Sequence, residues 1–131
     1  PVFISEFGGG ALYGRHGAVN ERFTEEYQED LYKRQVNMLK RIPGLAGTTP
    51  WILKDFRSPR RHVPDIQDDF NRKGLISDKG QKKKAFYVMK AWYDELKEQY
   101  KWLTNGGGNC VYLHFFTVWI DNLLYEYTIN A

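Results

Sequence analysis

A single cysteine, Cys110, among 131 residues leaves no possibility of an internal disulfide framework. Charge of one sign is scarce too. Nineteen Lys and Arg stand against sixteen Asp and Glu, a net charge of +3. That excess is too small, and too mixed along the chain, for a nucleic-acid footprint. No signal peptide opens the chain, and no apolar run is long enough to span a bilayer. Neither nucleic acid nor a membrane is therefore an expected partner, and nothing here points to a compartment. The three histidines, His16, His62 and His114, have no metal-ligand spacing with one another or with the cysteine. No metal or other cofactor is expected. What the chain does have is aromatic side chains, 16% of residues, with four Trp, nine Tyr and eight Phe. Aromatic rings fill cores and also stack on sugar rings, and composition does not choose between the two. Hydrophobic content of 42% beside 27% charged suits one small folded domain.

The order of elements is readable from pattern. Residues 2–7 form an apolar strand of the kind that parallel sheets bury on both faces. Residues 8–22, rich in glycine, are too long for a mere connector and form a candidate functional loop. Thr24 is placed to cap a helix, with Glu25 and Glu26 in its first turn and an apolar stripe of Tyr27, Leu31, Met38, Leu39 and Ile42. Lys40 and Arg41 suit its last turn, and Pro43-Gly44 stops it. A second strand is expected around Trp51, Ile52 and Leu53, then a long polar segment over 57–80. A second helix runs from about Gln81 to Gln99 on a stripe of Ala85, Met89, Trp92 and Leu96. The run Lys82-Lys83-Lys84 reads as its solvated first turn.

The result is β-α-β-α, the signature of a parallel sheet with crossover helices. Two strands alone leave faces and edges open, so the chain reads as part of a larger α/β architecture. Residues 101–131 carry a glycine triplet followed by a dense apolar stretch and do not continue the βα rhythm.

Active sites of such architectures lie at the C-terminal ends of strands. Glu6 stands at one such end, and Trp51 to Asp55 lie near the other. An isolated acid at a strand end is, by itself, an ordinary solvated carboxylate. Its context changes the reading. "ISEFGGG" resembles the nucleophile strand of glycoside hydrolase family 2, the family of β-glucuronidases, β-galactosidases and β-mannosidases. "WILKDFRSPRR" resembles that family's last barrel strand. "FNRKGLISDKGQKKKAFYVMKAWY" resembles its closing loop and terminal helix. The three blocks occur in order with fitting spacers over residues 1–100.

The resemblance implies the last two βα units of a (β/α)8 TIM barrel over 1–100, with 101–131 as a tail outside it. It implies Glu6 as nucleophile of a retaining glycosidase, Trp51 as a wall of the sugar pocket, and Asn71 with Lys73 as the Asn-x-Lys pair that grips a uronate carboxylate in β-glucuronidases. His16 matches a loop position where those enzymes can carry histidine, a possible pocket contributor. The family's acid/base residue is a Glu following Asn on an earlier strand, and no Asn-Glu pair here fits that place. The implied partners are a β-glucuronide or β-galactoside and the remainder of the barrel upstream. The implied function is a glucuronide-hydrolase fragment, inactive alone. A β-galactosidase-type fragment and a non-catalytic carbohydrate-binding remnant stay open beside it.

Overall fold

The computed structural model describes residues 1–105, and the expected tail, apart from 101–105, lies outside the described residues. Two compact units divide the chain, Pro1–Lys90 and a second beginning at Ala91. In the first, strand β1 (Val2–Ile4) pairs in parallel with β2 (Leu45–Thr48), Ile4 opposite Thr48. Between them runs helix α1 (Glu25–Leu39). The mixed α/β character expected from the pattern is present, but the second strand lies earlier than expected. The residues around Trp51 follow β2 rather than form it. Ladder-like bonding continues past both strands, from Thr49 N–H to Ile4 O at 2.9 Å and from Trp51 N–H to Phe7 O at 2.8 Å. Val2 and Phe3 remain 41% and 57% exposed, so β1 is not covered on both faces as expected. It has one neighbour strand among the described residues.

Helix α1 starts where capping chemistry requires. The Thr24 side chain accepts from Tyr27 N–H at 3.1 Å, satisfying one of the orphan donors of the first turn. Its inward face is Glu25, Gln28, Tyr32, Val36 and Leu39. This corrects the apolar stripe, in which Met38 was counted; Met38 is 51% exposed. Apolar residues alone mislead here because two inward positions are polar and hydrogen-bonded to distant backbone. Gln28 Nε2 donates to the carbonyls of Gly9 (2.8 Å) and Gly74 (3.1 Å). Glu25 accepts from the backbone of Gly14 (2.8 Å) and of Lys84 (2.9 Å). At the other end, Arg41 Nε donates to the Asn37 carbonyl, relieving one of the helix's last acceptors.

The segment 57–80 is more ordered than a polar loop. Strands β3 (Phe56–Arg57) and β4 (Phe70–Asn71) form an antiparallel pair, with Phe56 opposite Asn71. Helix α2 (Lys84–Asn105) begins later and ends later than the pattern predicts. The expected stripe holds over Ala85, Met89 and Trp92, all buried, while Leu96 is half-buried.

The Lys82-Lys83-Lys84 run is not a solvated turn, for Lys83 is completely buried. Its ammonium donates to both Asp55 carboxylate oxygens (2.8 and 2.9 Å), to Ala11 O (2.6 Å) and to Arg72 O (3.2 Å). Asp55 accepts a further bond from Gly74 N–H at 2.8 Å. Arg72 Nη1 stands 3.6 Å from Asp55 and 2.7 Å from Asp78. Three loops and the approach to α2 therefore meet on one neutralised ionic knot. Gly74 is needed there because a Cβ would collide with the backbone and carboxylate of Asp55.

Candidate functional site

Glu6 follows β1 by two residues and is exposed. Its backbone neighbours on either side are anchored. Ser5 O accepts from Thr49 Oγ1 at 2.6 Å, and Phe7 O accepts from Trp51 N–H at 2.8 Å. The glutamate thus rides on a rigid stretch directly beside Trp51. Gly8 makes the turn that follows. It has φ +127°, and a side chain there would strike the Tyr32 hydroxyl.

The segment after Trp51 carries the arrangement onward. Ile52 N–H donates to Lys73 O at 3.2 Å, and Leu75 N–H returns a bond to Ile52 O at 3.0 Å. Asn71 Oδ1 accepts from Lys73 N–H at 3.1 Å, a local turn that leaves the amide NH2 as the side chain's donor. Backbone and turn hydrogen bonds of Phe7 with Trp51, Ile52 with Lys73 and Lys73 with Asn71 therefore tie the segments that carry Glu6, Trp51, Lys73 and Asn71 to one another. Trp51 is half-buried, and its ring meets Phe56 edge-on at 6.2 Å.

Asn71 and Lys73 line a cavity of about 180 Å³, together with Arg22, Arg61, Arg72 and the rings of Phe23 and Tyr27. Glu6 and Trp51 are not among its lining residues, nor is His16. His16 instead pairs through Nδ1 with Glu26 at 2.9 Å and is largely exposed. The same carboxylate meets Lys84 Nζ at 2.6 Å. These contacts, Lys84's first, hold the Glu26 carboxyl down from 4.5 to about 2. His62 pairs with Asp69 at 2.9 Å.

Asp55 is close in sequence to Trp51 but is closed to chemistry at the site. Its side chain is fully buried, and Lys83, Gly74 and Arg72 surround it. Burial pushes the Asp55 carboxyl above the usual carboxylate range and the Lys83 ammonium below its own, while the pairing between them opposes both shifts. It is a structural pair, and the chain supplies no second carboxylate beside Glu6 from this position.

Arg22 and Arg61 join Asn71 and Lys73 in lining the cavity. Arg22 sits in no motif, Arg61 only closes the block that begins at Trp51, and 39 positions separate them. Only the fold brings the two to one wall.

No family model matches the chain. Known proteins do resemble it. It is 32% identical over 98 residues to a β-glucuronidase of Paenibacillus borealis, covering 75% of this chain and 16% of that protein. It is 30% identical over 124 residues to the β-glucuronidase of Sus scrofa, covering 90% and 18% respectively. Among solved structures, a GH2 β-galacturonidase from Eisenbergiella tayi bound to galacturonate superposes with a TM-score of 0.65 at 28% identity, over 72% of this chain and 17% of that one. The chain belongs with the glycosidases of glycoside hydrolase family 2. Within that family it is a relative of the β-glucuronidases, and it spans about one sixth of the length of the curated relatives it matches.

Proposed function

We propose that this chain supplies the last two βα units of a (β/α)8 barrel, residues 1 to about 100, in a retaining hydrolase of β-D-glucuronides. The observation that carries the reading is the set of hydrogen bonds tying the segments of Glu6, Trp51, Lys73 and Asn71 together past the C-terminal end of a parallel strand pair, in a chain related to β-glucuronidases. The open face of β1, with Phe3 57% exposed, suits a strand that other barrel elements cover.

Glu6 is the nucleophile. Its ionised carboxylate attacks the anomeric carbon as the bond from that carbon to the leaving oxygen breaks. A second carboxyl group, roughly 5–5.5 Å away in retaining enzymes, gives the leaving oxygen its proton. That group then takes a proton from the water that releases the sugar from Glu6. It belongs to an earlier strand outside these residues, so the 131-residue chain is inactive by itself. Trp51 offers an indole face to the apolar side of the pyranose. Lys73 supplies a compact positive charge and Asn71 an oriented NH2 to the uronate carboxylate.

A β-galacturonide is the second reading, because one similar structure is a β-galacturonidase. Both uronates present the same carboxylate and differ only in the configuration at C4. A neutral β-galactoside offers the cationic cavity no anionic group, which disfavours that alternative.

The test compares the full-length protein, its Glu6→Gln variant and the isolated 131-residue chain on an aryl β-glucuronide. Covalent catalysis has no substitute for the attacking oxygen, so the variant is expected to lose nearly all turnover while staying folded. The isolated chain is expected to match a no-enzyme blank. Near wild-type turnover in the variant would remove Glu6 from the mechanism, and turnover by the isolated chain would remove the need for an upstream acid.

A further inference from the structure

Several cations of this molecule meet a carboxylate at close range. Arg15 meets Glu21, Lys33 meets Glu29, Arg34 meets Asp30, Lys84 meets Glu26 and Lys83 meets Asp55. The cavity beside Asn71 instead gathers cations on one wall. Of the four cations lining it, only Arg72 has carboxylate partners. Arg22, Arg61 and Lys73 have no ion-pair partner among the described residues, and no acidic side chain lines the cavity.

Both arginines project from fixed backbone. Arg22 precedes Phe23, which is held at φ +67° although it is not glycine. A residue rarely keeps that conformation unless its surroundings impose it. Here Leu12 N–H bonds to Phe23 O at 2.9 Å, and the Thr24 cap follows at once. Arg61 is tied from both sides, donating its N–H to Ser58 O at 3.0 Å and accepting from Asp69 N–H at 2.8 Å. Guanidinium groups on rigid supports suit bidentate recognition of carboxylate or sulfate.

Under the proposed function, on which this step rests, one uronate carboxylate engages Asn71 and Lys73. That accounts for one of three unpaired cations. The remaining two call for a second anionic group on the same ligand. The cavity includes Asn71 and Lys73 but not Glu6 or Trp51. The second group therefore lies on the carboxylate side of the sugar, away from the bond that breaks.

We propose that Arg22 and Arg61 form an anion subsite that selects a uronide bearing a second negative charge on its non-leaving side, at ring position 3 or 4. The charge could come from a sulfate ester on the ring or from a further uronate linked through it. The shared chemistry is a tetrahedral or planar oxyanion facing two guanidinium forks.

The experiment uses the full-length protein with three aryl β-glucuronides: unsubstituted, sulfated at position 3 or 4, and extended at position 4 by a second uronate. The wild-type protein is expected to favour a doubly charged substrate in kcat/KM, and the arm that shows the preference identifies the source of the charge. In the Arg22→Ala/Arg61→Ala double variant, the ratio of doubly to singly charged kcat/KM is expected to fall about tenfold, the scale of one charge-assisted contact at a partly exposed site. Equal kcat/KM on all three substrates, or a preference that survives the double substitution, overturns the subsite. Equilibrium binding of the corresponding thioglycosides, which are not cleaved, separates this inference from the proposed function. If no glucuronide is hydrolysed but the doubly charged thioglycoside binds more tightly, with that advantage lost in the double variant, the subsite stands and the catalytic reading falls. If the advantage is absent or unchanged, the subsite falls.

Discussion

Two cationic regions lie within a few residues of each other and use charge in opposite ways. Around Asp55, Lys83 is sealed from water and every charge meets an opposite one. Around the neighbouring cavity, Arg22, Arg61 and Lys73 face open space without a carboxylate among the described residues. Arg72 belongs to both, pairing through Nη1 in the knot and lining the cavity. A buried charge must be paired, because leaving water costs several kcal/mol per ion. A charge at a cavity mouth keeps part of its hydration and can stay unpaired, ready for a ligand. The first arrangement holds loops together, and the second awaits an anion. Residue type alone does not separate them, since both use Lys and Arg. Partnership does.

The sharpest way to break this comparison is to remove one charge from the knot. Lys83→Ala leaves Asp55 buried with only the Gly74 N–H and the more distant Arg72. Breaking a buried pair from one side costs about 3–5 kcal/mol. Denaturant unfolding of the full-length protein is expected to lose that much in Lys83→Ala and less in the double variant Lys83→Met/Asp55→Leu, which removes both charges. If the single variant unfolds like the wild type, the knot is not structural and the contrast between the regions disappears.

Lys73 provides the complementary measurement. Lys73→Ala is expected to leave unfolding within about 0.5 kcal/mol, as surface substitutions usually do. It should cost hydrolysis of an aryl β-glucuronide about 1.5–3 kcal/mol of transition-state binding, roughly ten- to a hundredfold in kcat/KM. A loss of stability comparable with that of Lys83→Ala, or an equal loss on a neutral glycoside, would make Lys73 another structural lysine.

These regions also mark what the amino-acid sequence makes legible. The α/β order, the Thr24 cap, the inward residues Ala85, Met89 and Trp92, and the alignment of Glu6 with Trp51 at one end of the strand pair all follow from local pattern or from motif. Local pattern misplaces the second strand, because Trp51 bonds to Phe7, beyond β1, while Ile52 and Leu53 bond to Lys73, Leu75 and Ile76. It also misreads Lys83. Three lysines in a row look solvated, and only the long-range approach of Asp55, Ala11 and Arg72 makes one of them a core residue. The buried polar face of α1 escapes local pattern for the same reason, as Gln28 Nε2 donates to carbonyls 19 and 46 positions away. Arg22 carries no signal until the chain folds, and nothing in the sequence sets Arg61 apart from Arg57 and Arg60 until then.

A third cationic arrangement sharpens the comparison with the smallest effect. Glu26 sits at the surface between Lys84 Nζ at 2.6 Å and His16 Nδ1 at 2.9 Å, with Gly17 N–H at 3.2 Å. It is paired like the knot but wet like the cavity. Lys84 above all holds its carboxyl down from 4.5 to about 2 in the folded chain. A depressed pKa means that the unfolded chain binds the proton more readily. The contribution is therefore complete above about pH 4.5 and fades as pH falls toward 2. Other carboxylates titrate in the same window, so the informative quantity is a difference. The stability gap between wild type and Glu26→Gln, measured by urea unfolding, is expected to be widest above pH 5 and to narrow steadily as the pH drops. Water and salt screen this cluster, so the gap should also shrink in high salt, unlike the effect of Lys83→Ala. A gap that stays constant across pH would mean that Glu26 acts through packing or capping, and that pairing at this surface adds nothing the charge itself explains.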